Sequence, residues 1–303
     1  MTFAFHSPVL LVPVLAAAHG VRRAVDGTLG DGGHAEALRE AGAEVLGIDR
    51  DPSAIARAQS RLGSAKITYL CAEYASPEAI SAVQRFAPDF ILLDLGVSSR
   101  QLDDDARGFS FRPGALLDMR MGDTGPTAAD LLATAGESEL ERWFRDYGDE
   151  RRARALAREI IRRRGRAAFT VSDDLVNAIR AVLGPKAGPA EFARLFQAVR
   201  IATNDELAGL AVALPAFRDA LTPGGALAVI SYHSGEDRLV KHAFREWERG
   251  CICPPRQPVC TCGRRPAGHT EPHKPIVSDD AEIATNPRAR SARLRVFRVN
   301  DDA

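Results

Sequence analysis

The chain has 303 residues, 45% hydrophobic and 26% charged, a composition typical of a globular protein and unlike that of a disordered or fibrous chain. Its 40 basic residues balance 40 acidic ones, so no overall positive field indicates a nucleic-acid partner, and a local patch would have to bind one. The apolar run at 9–18 contains Pro13 and follows no basic residue, which argues against a signal peptide or membrane span and favours a cytoplasmic protein.

The first hundred residues alternate short apolar strands with helix-like segments. The predicted strands span 22–25, 44–49, 66–70 and 90–93. The predicted helices span 33–41 and begin again at Pro52 and Pro77, since proline favours the first turn of a helix. Four strand–helix steps predict an α/β fold with a parallel, doubly wound, Rossmann-like sheet.

After Leu95 this alternation stops, and helical patterns rich in Ala, Leu, Arg and Glu continue to Ile201. The α/β pattern then resumes. It comprises a helix at 204–221, a turn at 222–225 and a strand at 226–230. We therefore predict an α/β domain formed by 1–101 and 202–303, with an inserted all-helical domain at 102–201.

The last third of the chain holds two further features. Residues 250–275 are rich in Pro, Gly, Cys and Arg, and the pattern fits an ordered loop or a mobile flap. Residues 292–299 alternate apolar residues with arginines, which predicts an edge strand that carries its charge outward. The arginines concerned are Arg293, Arg295 and Arg298.

A glycine-rich segment, DGTLGDGG at 26–33, follows the first strand and opens a helix, where a doubly wound fold brings a ligand near backbone amides. Its spacing is not that of a nicotinamide site, and its acidic residues would repel a pyrophosphate. A cationic ligand such as S-adenosylmethionine fits better, because Asp26 and Asp94 can stabilise its sulfonium or amino group. A tight turn with no ligand is the alternative.

Two more acidic strand ends accompany this turn. Asp49, 23 positions after Asp26, can accept the hydroxyls of a ribose, unless it is only an exposed acid or a helix cap. Asp94 opens the segment DLGVSS, which contains no cysteine, so a covalent attack on a pyrimidine ring is disfavoured and direct methyl transfer remains. There Asp94 can align an exocyclic amine, or it only binds cofactor or caps the next turn.

The motif set resembles the ribosomal RNA small-subunit methyltransferase H family, also called MraW. The motifs that carry the resemblance are HSPVLL, DGTLGDGGH, GIDRDP, LLDLGVSSRQLD, RGFSF, LDMRM, FQAVRIATNDEL, ISYHSGEDR and NPRARSARLR. The resemblance implies S-adenosylmethionine as cofactor and an all-helical insertion. It also implies methylation of the exocyclic N4 amine of a decoding-centre cytidine, cytosine 1402 by convention, in 16S rRNA of the small ribosomal subunit.

The resemblance also assigns site residues. The implied cofactor contacts are Gly32, Gly33, His34, Asp49, Tyr74, Asp94 and Gln101. Asp94 is the implied catalytic acceptor, with Asp118 ranked second. Without the resemblance, His34 would be read as a residue of the helix start and Tyr74 as core. The sequence departs from the family at Pro13 in place of Glu, at Tyr232 and Gly235 in place of Phe and Leu, and at EFARLF before Gln197.

Candidate RNA contacts lie in three places. Eight arginines between 151 and 166, with Glu159 as the only acid, form either a phosphate-binding patch or a solvated helix face. The predicted substrate-binding residues are Arg200, His233, Arg288, Arg290 and Arg293. For His233, with its neighbours Glu236 to Arg238, a loop network that satisfies itself is equally compatible with the sequence.

Four cysteines cluster at 251, 253, 260 and 262. They could hold a tetrahedral zinc, but two to four intervening residues are usual between ligands, so we assign no metal ligand.

Three other functions remain open from the residues alone: methylation of an amine in another substrate such as DNA, a nicotinamide dehydrogenase, and an RNA-binding module without activity. The dehydrogenase is the weakest, because the turn at 26–33 does not suit a pyrophosphate. The sequence does not fix the oligomeric state, for which a homodimer is one option, and it predicts no membrane partner.

Overall fold

The structure is a computed structural model that describes residues 8–254, 257, 259 and 261–301. The chain forms two compact units. The first, here the sheet unit, runs to Gly96 and resumes at Ala208, and the second, the helical unit, spans Val97–Leu207. The sequence predicts these boundaries at 101/102 and 201/202, and the roles of the two domains stay predictions.

All the named strands lie in the sheet unit. The strands are β1 Arg23–Asp26, β2 Glu44–Asp49, β3 Ile67–Cys71, β4 Phe90–Asp94, β5 Ala226–Ser231, β6 Gly268–Thr270, β7 Ile276–Val277 and β8 Arg293–Val299. Their order is β3-β2-β1-β4-β5-β8-β6, with β7 paired to β8. Strands β1 to β5 are parallel, which confirms the doubly wound α/β fold. The order reverses between β1 and β4, where such sheets open a ligand crevice.

The α-helices are α1 Leu11–Ala17, α2 Gly33–Glu40, α3 Pro52–Leu62, α4 Pro77–Phe86, α5 Ser99–Asp103, α6 Ala128–Thr134, α7 Glu137–Arg142, α8 Ala153–Arg164, α9 Ser172–Leu183, α10 Pro189–Asn204, α11 Glu206–Ala220, α12 Ser234–Glu248 and α13 Asp280–Thr285. Single turns of other helical types occur at Asp105–Arg107, Trp143–Tyr147 and Pro287–Ser291. Among the described residues, no helix is long and apolar enough to cross a membrane.

Two predicted helix starts are confirmed, and each has a local cause. The Asp51 side chain accepts from the Ser53 amide before Pro52, and the Ser76 hydroxyl accepts from the Ala79 amide before Pro77. The helix predicted at 204–221 starts later, at Glu206, because Asp205 adopts a left-handed φ of 53° that ends the preceding helix.

Both faces of the central sheet are buried. In β4, Phe90 and Leu92 belong to one apolar cluster, whereas Ile91 and Leu93 belong to the cluster on the opposite face. A strand buried on both sides has a continuous apolar run instead of alternation, and this is the pattern of FILL at 90–93.

The prediction that 292–299 is an edge strand with outward charge is wrong. Strand β8 pairs with β5 on one side and with β6 and β7 on the other. Arg295 is 7% exposed, and its guanidinium donates to the Asp237 carboxylate of α12 at 2.8 Å. Phe244 and Trp247 of the same helix stack on Phe297, so α12 covers the face that the alternation assigned to solvent. Strands β6 and β7, which the sequence analysis did not predict, complete this end of the sheet.

The helical unit has its own core. Phe144, Leu156, Ile179 and Leu195 are each fully buried there, in one cluster drawn from its helices. The unit therefore excludes water through its own apolar residues, as an independent domain does.

Candidate active site

Three neighbouring strands of the sheet unit end in an aspartate. Asp49 ends β2, Asp26 ends β1 and Asp94 ends β4, and these strands are adjacent in the order β2-β1-β4. Because parallel strands place their carboxyl ends on one edge, the three carboxylates gather at the crevice where the strand order reverses. Such a concentration of negative charge suits a cationic ligand.

The glycine-rich turn after β1 is held by the same acids. The Gly30 amide donates to Asp49 Oδ2 at 2.7 Å, and the Thr28 amide donates to Asp26 Oδ1 at 3.2 Å. The Thr28 hydroxyl accepts from the Asp94 amide at 2.6 Å, which ties the turn to the end of β4. The aspartates thus fix the backbone of the turn as well as its charge.

Glycine is required at two points of this turn. Gly32 has a φ of +81° and precedes α2, a conformation that side chains rarely adopt. At Gly27 a Cβ atom would lie 2.6 Å from Leu93 Cδ2 in the neighbouring strand, so a side chain there would force the fully buried Leu93 to shift. Gly27 thus lets the end of β1 lie close to β4, and Gly32 lets the start of α2 lie close to α3, where a Cβ atom would be 2.8 Å from Leu62 Cδ1.

Two side chains flank Asp94. The Tyr232 hydroxyl donates to Asp94 Oδ1 at 2.8 Å, and His34 Nε2 lies 3.6 Å from Oδ2. The second distance is longer than a hydrogen bond, so we describe it as an ion pair when the imidazole is protonated. Burial raises the pKa of Tyr232, and the Asp94 carboxylate raises it further, so the phenol stays protonated and donates.

Burial dominates the electrostatics of the cluster. It raises the pKa of Asp26 to about 6, and the negative charges of Asp94 and Asp49 add to that rise while His34 opposes it. Burial also raises the pKa of Asp49, against the amides of Asp51 and Gly30 that favour its charged form. For His34, burial lowers the pKa, but the carboxylates of Asp94 and Asp26 outweigh burial and the net shift is upward. A ligand with positive charge would relieve this repulsion.

The residues present fit S-adenosylmethionine. Both ring nitrogens of His34 are buried, and neither has a hydrogen-bond partner in the part of the chain that the structure describes, which leaves donor and acceptor capacity for a ligand at the start of α2. Each oxygen of Asp49 accepts one amide and retains a second lone pair for a hydroxyl. Tyr74, three residues beyond β3, is half-buried and packs on the apolar cluster of α4 and α11. The cofactor roles of these residues stay predictions.

Two other predicted residues, Gln101 and Arg200, lie in the helical unit, and each has hydrogen-bond partners there. Gln101 Oε1 accepts from the Ser98 amide, and its Nε2 donates to the Met121 carbonyl. Arg200 makes a two-pronged ion pair with Glu206, both N–O distances being 2.9 Å. Neither arrangement tests the ligand-binding roles predicted for Gln101 and Arg200.

Asp118 also lies in the helical unit and is paired with Arg120, at 2.8 Å to one carboxylate oxygen and 2.7 Å to the other. Burial raises the pKa of Asp118, but the hydrogen bonds from Arg120 outweigh burial and hold the pKa below its usual value. A carboxylate in this state is a poorer proton acceptor than a carboxylate without a bound guanidinium, which supports the lower rank of Asp118.

Hydrogen bonds tie the loop after β5 to the start of α12. His233 Nδ1 accepts from the amides of Gly235 and Glu236, and Glu236 Oε2 accepts from the amides of Tyr232 and His233. His233 therefore caps α12, as the alternative interpretation requires, but among the described residues its buried Nε2 has no hydrogen-bond partner, so the network does not satisfy every polar group. Its substrate role stays a prediction.

The predicted RNA-contacting arginines of the sheet unit differ in exposure. Arg290 is exposed in the turn at Pro287–Ser291, and Arg288 of the same turn is half-buried. Arg293 is exposed, with Nη1 at 3.4 Å from the Asp237 carboxylate. Arg290 is thus better placed than Arg293 to meet a phosphate.

The arginine cluster at 151–166 lies on and around α8, and much of its charge is paired. Arg158 and Arg154 approach Glu137 at 2.8 and 3.6 Å. Arg162 and Arg163 each approach Glu159 at 2.6 Å. This pairing favours a solvated helix face, although exposed pairs contribute little and could exchange for phosphate.

Two side chains that hold Asp94, the Thr28 hydroxyl and the Tyr232 phenol, were not predicted from the sequence. Thr28 left no signal beyond its place in the turn. Tyr232 does have a signal in the sequence, because it stands where the family that the sequence resembles usually has Phe. The hydroxyl that distinguishes Tyr from Phe is the group that contacts Asp94.

The sequence was compared with known proteins. A family model described as the MraW methylase family matches residues 3–300. The ribosomal RNA small subunit methyltransferase H of Gemmatimonas aurantiaca is 56% identical over 304 residues, covering 98% of this chain and 96% of the relative. The protein of that name from Heliobacterium modesticaldum is 46% identical over 303 residues, covering 96% and 97%.

Among solved structures, an rRNA methylase from Streptococcus thermophilus aligns with 98% of this chain and 99% of its own. The TM-score is 0.41 and the sequence identity 10%, too low a similarity to bear on function.

Proposed function

The chain belongs to the MraW methylase family, and we propose that it transfers a methyl group from S-adenosylmethionine to the exocyclic N4 amine of a decoding-centre cytidine in 16S rRNA. It is an S-adenosylmethionine-dependent methyltransferase that acts on RNA of the small ribosomal subunit. The finer proposal, N4 of one cytidine, is supported by the acid-rich crevice and by the absence of cysteine from DLGVSS. The proposed location is the cytoplasm, where ribosomal subunits are found.

The observation that carries the proposal is the row of aspartates at the ends of β2, β1 and β4 beside the glycine-rich turn. We assign Asp49 to the ribose of the cofactor and Asp26 to its positive charge. When bound, S-adenosylmethionine supplies an electrophilic methyl group on a sulfonium.

In the proposed mechanism, Asp94 orients the amine of the target base. Its Oδ1 is fixed by the Tyr232 hydroxyl and its backbone amide by the Thr28 hydroxyl, so the carboxylate has a defined direction. As the amine nitrogen gains positive charge, Asp94 stabilises that charge and accepts the proton that the nitrogen releases. Positioning supplies most of the remaining rate enhancement.

The test is transfer of labelled methyl from S-adenosylmethionine to small subunits that lack the modification, followed by mass mapping of the RNA. We expect label on the N4 amine of one decoding-centre cytidine. Label on another nucleotide or position would contradict the finer proposal while leaving the family activity intact. Duplex and single-stranded DNA serve as parallel substrates, and label there in preference to RNA would favour the DNA alternative.

A pH dependence follows from Asp26. Because its pKa is raised to about 6 in the folded protein, the carboxylate loses its charge as the pH falls through that value. We expect the affinity for S-adenosylmethionine to fall by up to about fourfold between about pH 7.5 and 5.5, since binding of a cation must then release a proton. Calorimetric titration at several pH values measures this dependence.

The variant Asp26→Asn separates the titration of Asp26 from that of His34. Protonation of His34 would also weaken cation binding as the pH falls. The variant should show weaker binding and a flatter pH profile. S-adenosylhomocysteine, which lacks the sulfonium charge, should show a smaller pH dependence with the wild type. An unchanged profile in Asp26→Asn would assign the titration to another group.

The same substitution should stabilise the fold. Because the pKa of Asp26 is raised in the folded protein, its ionised form destabilises the fold above about pH 6, so Asp26→Asn should raise Tm at neutral pH.

A further inference from the structure

Three cysteine sulfurs converge in the loop that joins α12 to β6. The Sγ atoms of Cys251, Cys253 and Cys262 all lie within 4.8 Å of one another. Cys251 and Cys262 are 3.7 Å apart at sulfur, far beyond a disulfide bond of about 2.05 Å. Two thiolates on one tetrahedral zinc, each at about 2.3 Å from the metal, are separated by about 3.8 Å. The spacing of Cys251 and Cys262 thus matches that of two thiolates on one metal ion, and Cys253 Sγ lies within 4.8 Å of both.

Backbone amides surround the three sulfurs. The Ile252 amide donates to Cys262 Sγ, the Cys253 amide to Cys251 Sγ and the Thr261 amide to Cys253 Sγ, each at 3.4 Å. Each sulfur therefore accepts an amide hydrogen bond, and such bonds favour the thiolate and fix its direction. Around metal sites, outer hydrogen bonds of this kind orient the ligands.

Few other interactions stabilise the loop between α12 and β6. Its apolar side chains Ile252 and Val259 are 47% and 70% exposed, so they contribute no core. At its base, Arg264 pairs with Glu246 at 2.8 Å, and the Ala267 amide donates to the Trp247 carbonyl. Among the residues that the structure describes between these anchors, no apolar side chain is buried, so a cross-link would help the segment to adopt one conformation.

We propose that Cys251, Cys253 and Cys262 bind a structural zinc ion that closes this loop. Thiolate ligands select zinc over magnesium, calcium or manganese, and binding releases the thiol protons to solvent. Cys260, the fourth cysteine of the sequence pattern, lies outside the described residues, so the proposal rests on three thiolates. The site is separate from the aspartate cluster, and the proposal does not depend on the proposed function.

Metal analysis of the full chain, purified with reductant and without chelator from zinc-supplemented cells, tests the proposal. We expect about one zinc per wild-type chain, and at least about a tenfold loss in each of Cys251→Ser, Cys253→Ser and Cys262→Ser. Cys71→Ser is the matched control, because Cys71 is an exposed cysteine at the end of β3, and it should keep the metal. Wild-type protein without zinc, or a triple serine variant that retains it, would overturn the proposal.

Two measurements on the wild-type chain do not depend on the variants folding. Cobalt added to the metal-free protein should give the sulfur-to-metal charge-transfer and visible bands of tetrahedral thiolate ligation. Chelation should speed trypsin cleavage after Arg249 or Arg264 by about tenfold, as the loop opens. Octahedral cobalt spectra, cleavage that ignores the chelator, or a Cys251–Cys262 disulfide in the protein purified with reductant would each contradict a zinc site.

Discussion

Asp94→Asn is expected to lower kcat for methyl transfer by about 10²–10⁴-fold, the range in which a positioned proton acceptor contributes. Asparagine keeps the size of the side chain and an oxygen that accepts from the Tyr232 hydroxyl, but it has no charge and cannot take a proton. The Asp94 side chain is 24% exposed at the edge of the crevice, so the substitution should leave folding intact. The affinity for S-adenosylmethionine should change by less than about tenfold, measured by calorimetry beside single-turnover rates.

Tyr232→Phe is the companion variant. It removes the 2.8 Å hydrogen bond to Asp94 Oδ1 and keeps the carboxylate, so it should reduce kcat by about tenfold with little change in cofactor affinity. If Asp94→Asn lost cofactor binding as strongly as it lost kcat, Asp94 would be a cofactor ligand alone. A wild-type rate in Asp94→Asn would remove it from the mechanism.

The parts of the fold that the sequence predicts are those with local causes. Strand β4 shows as an apolar run because both its faces are covered, and α3 and α4 show through a cap followed by proline. Strand β8 was placed at an edge because its alternation resembles a half-solvated strand. Its true neighbours, β6 and α12, are distant in the sequence, and only the ion pair of Arg295 with Asp237 makes the burial of that charge tolerable.

The candidate site divides in the same way. The positions of Asp26, Asp49 and Asp94 follow from strand ends and could be predicted, because each strand has a local signal. What each side chain contacts could not be predicted. The ion pair of Arg200 with Glu206 joins residues on either side of a left-handed turn at Asp205, and the partner of Asp94 is Tyr232, which lies 138 residues away. Such partners depend on tertiary packing, for which a single sequence carries no direct signal.

Asp49→Ala is expected to weaken binding of S-adenosylmethionine by about 10²–10³-fold, since loss of two hydrogen bonds to a charged group removes about 3–4 kcal/mol. The carboxylate serves the site twice. Its oxygens hold the Gly30 amide at 2.7 Å and the Asp51 amide at 2.8 Å, and in the proposed complex they also accept the ribose hydroxyls. Calorimetric titration with the cofactor measures the effect.

Asp89→Ala is the matched control for this variant. Asp89 also holds two backbone amides, those of Arg23 at 2.8 Å and Arg22 at 3.0 Å, but it lies just before β4, at the opposite end of the sheet from Asp49. Burial raises the pKa of Asp49, so removal of its charge offsets part of the loss of its two hydrogen bonds, and Asp49→Ala should lower Tm no more than Asp89→Ala. Only Asp49→Ala should weaken cofactor binding. Equal losses of affinity would mean that Asp49 acts through the stability of the sheet, and the ribose role would have to be abandoned.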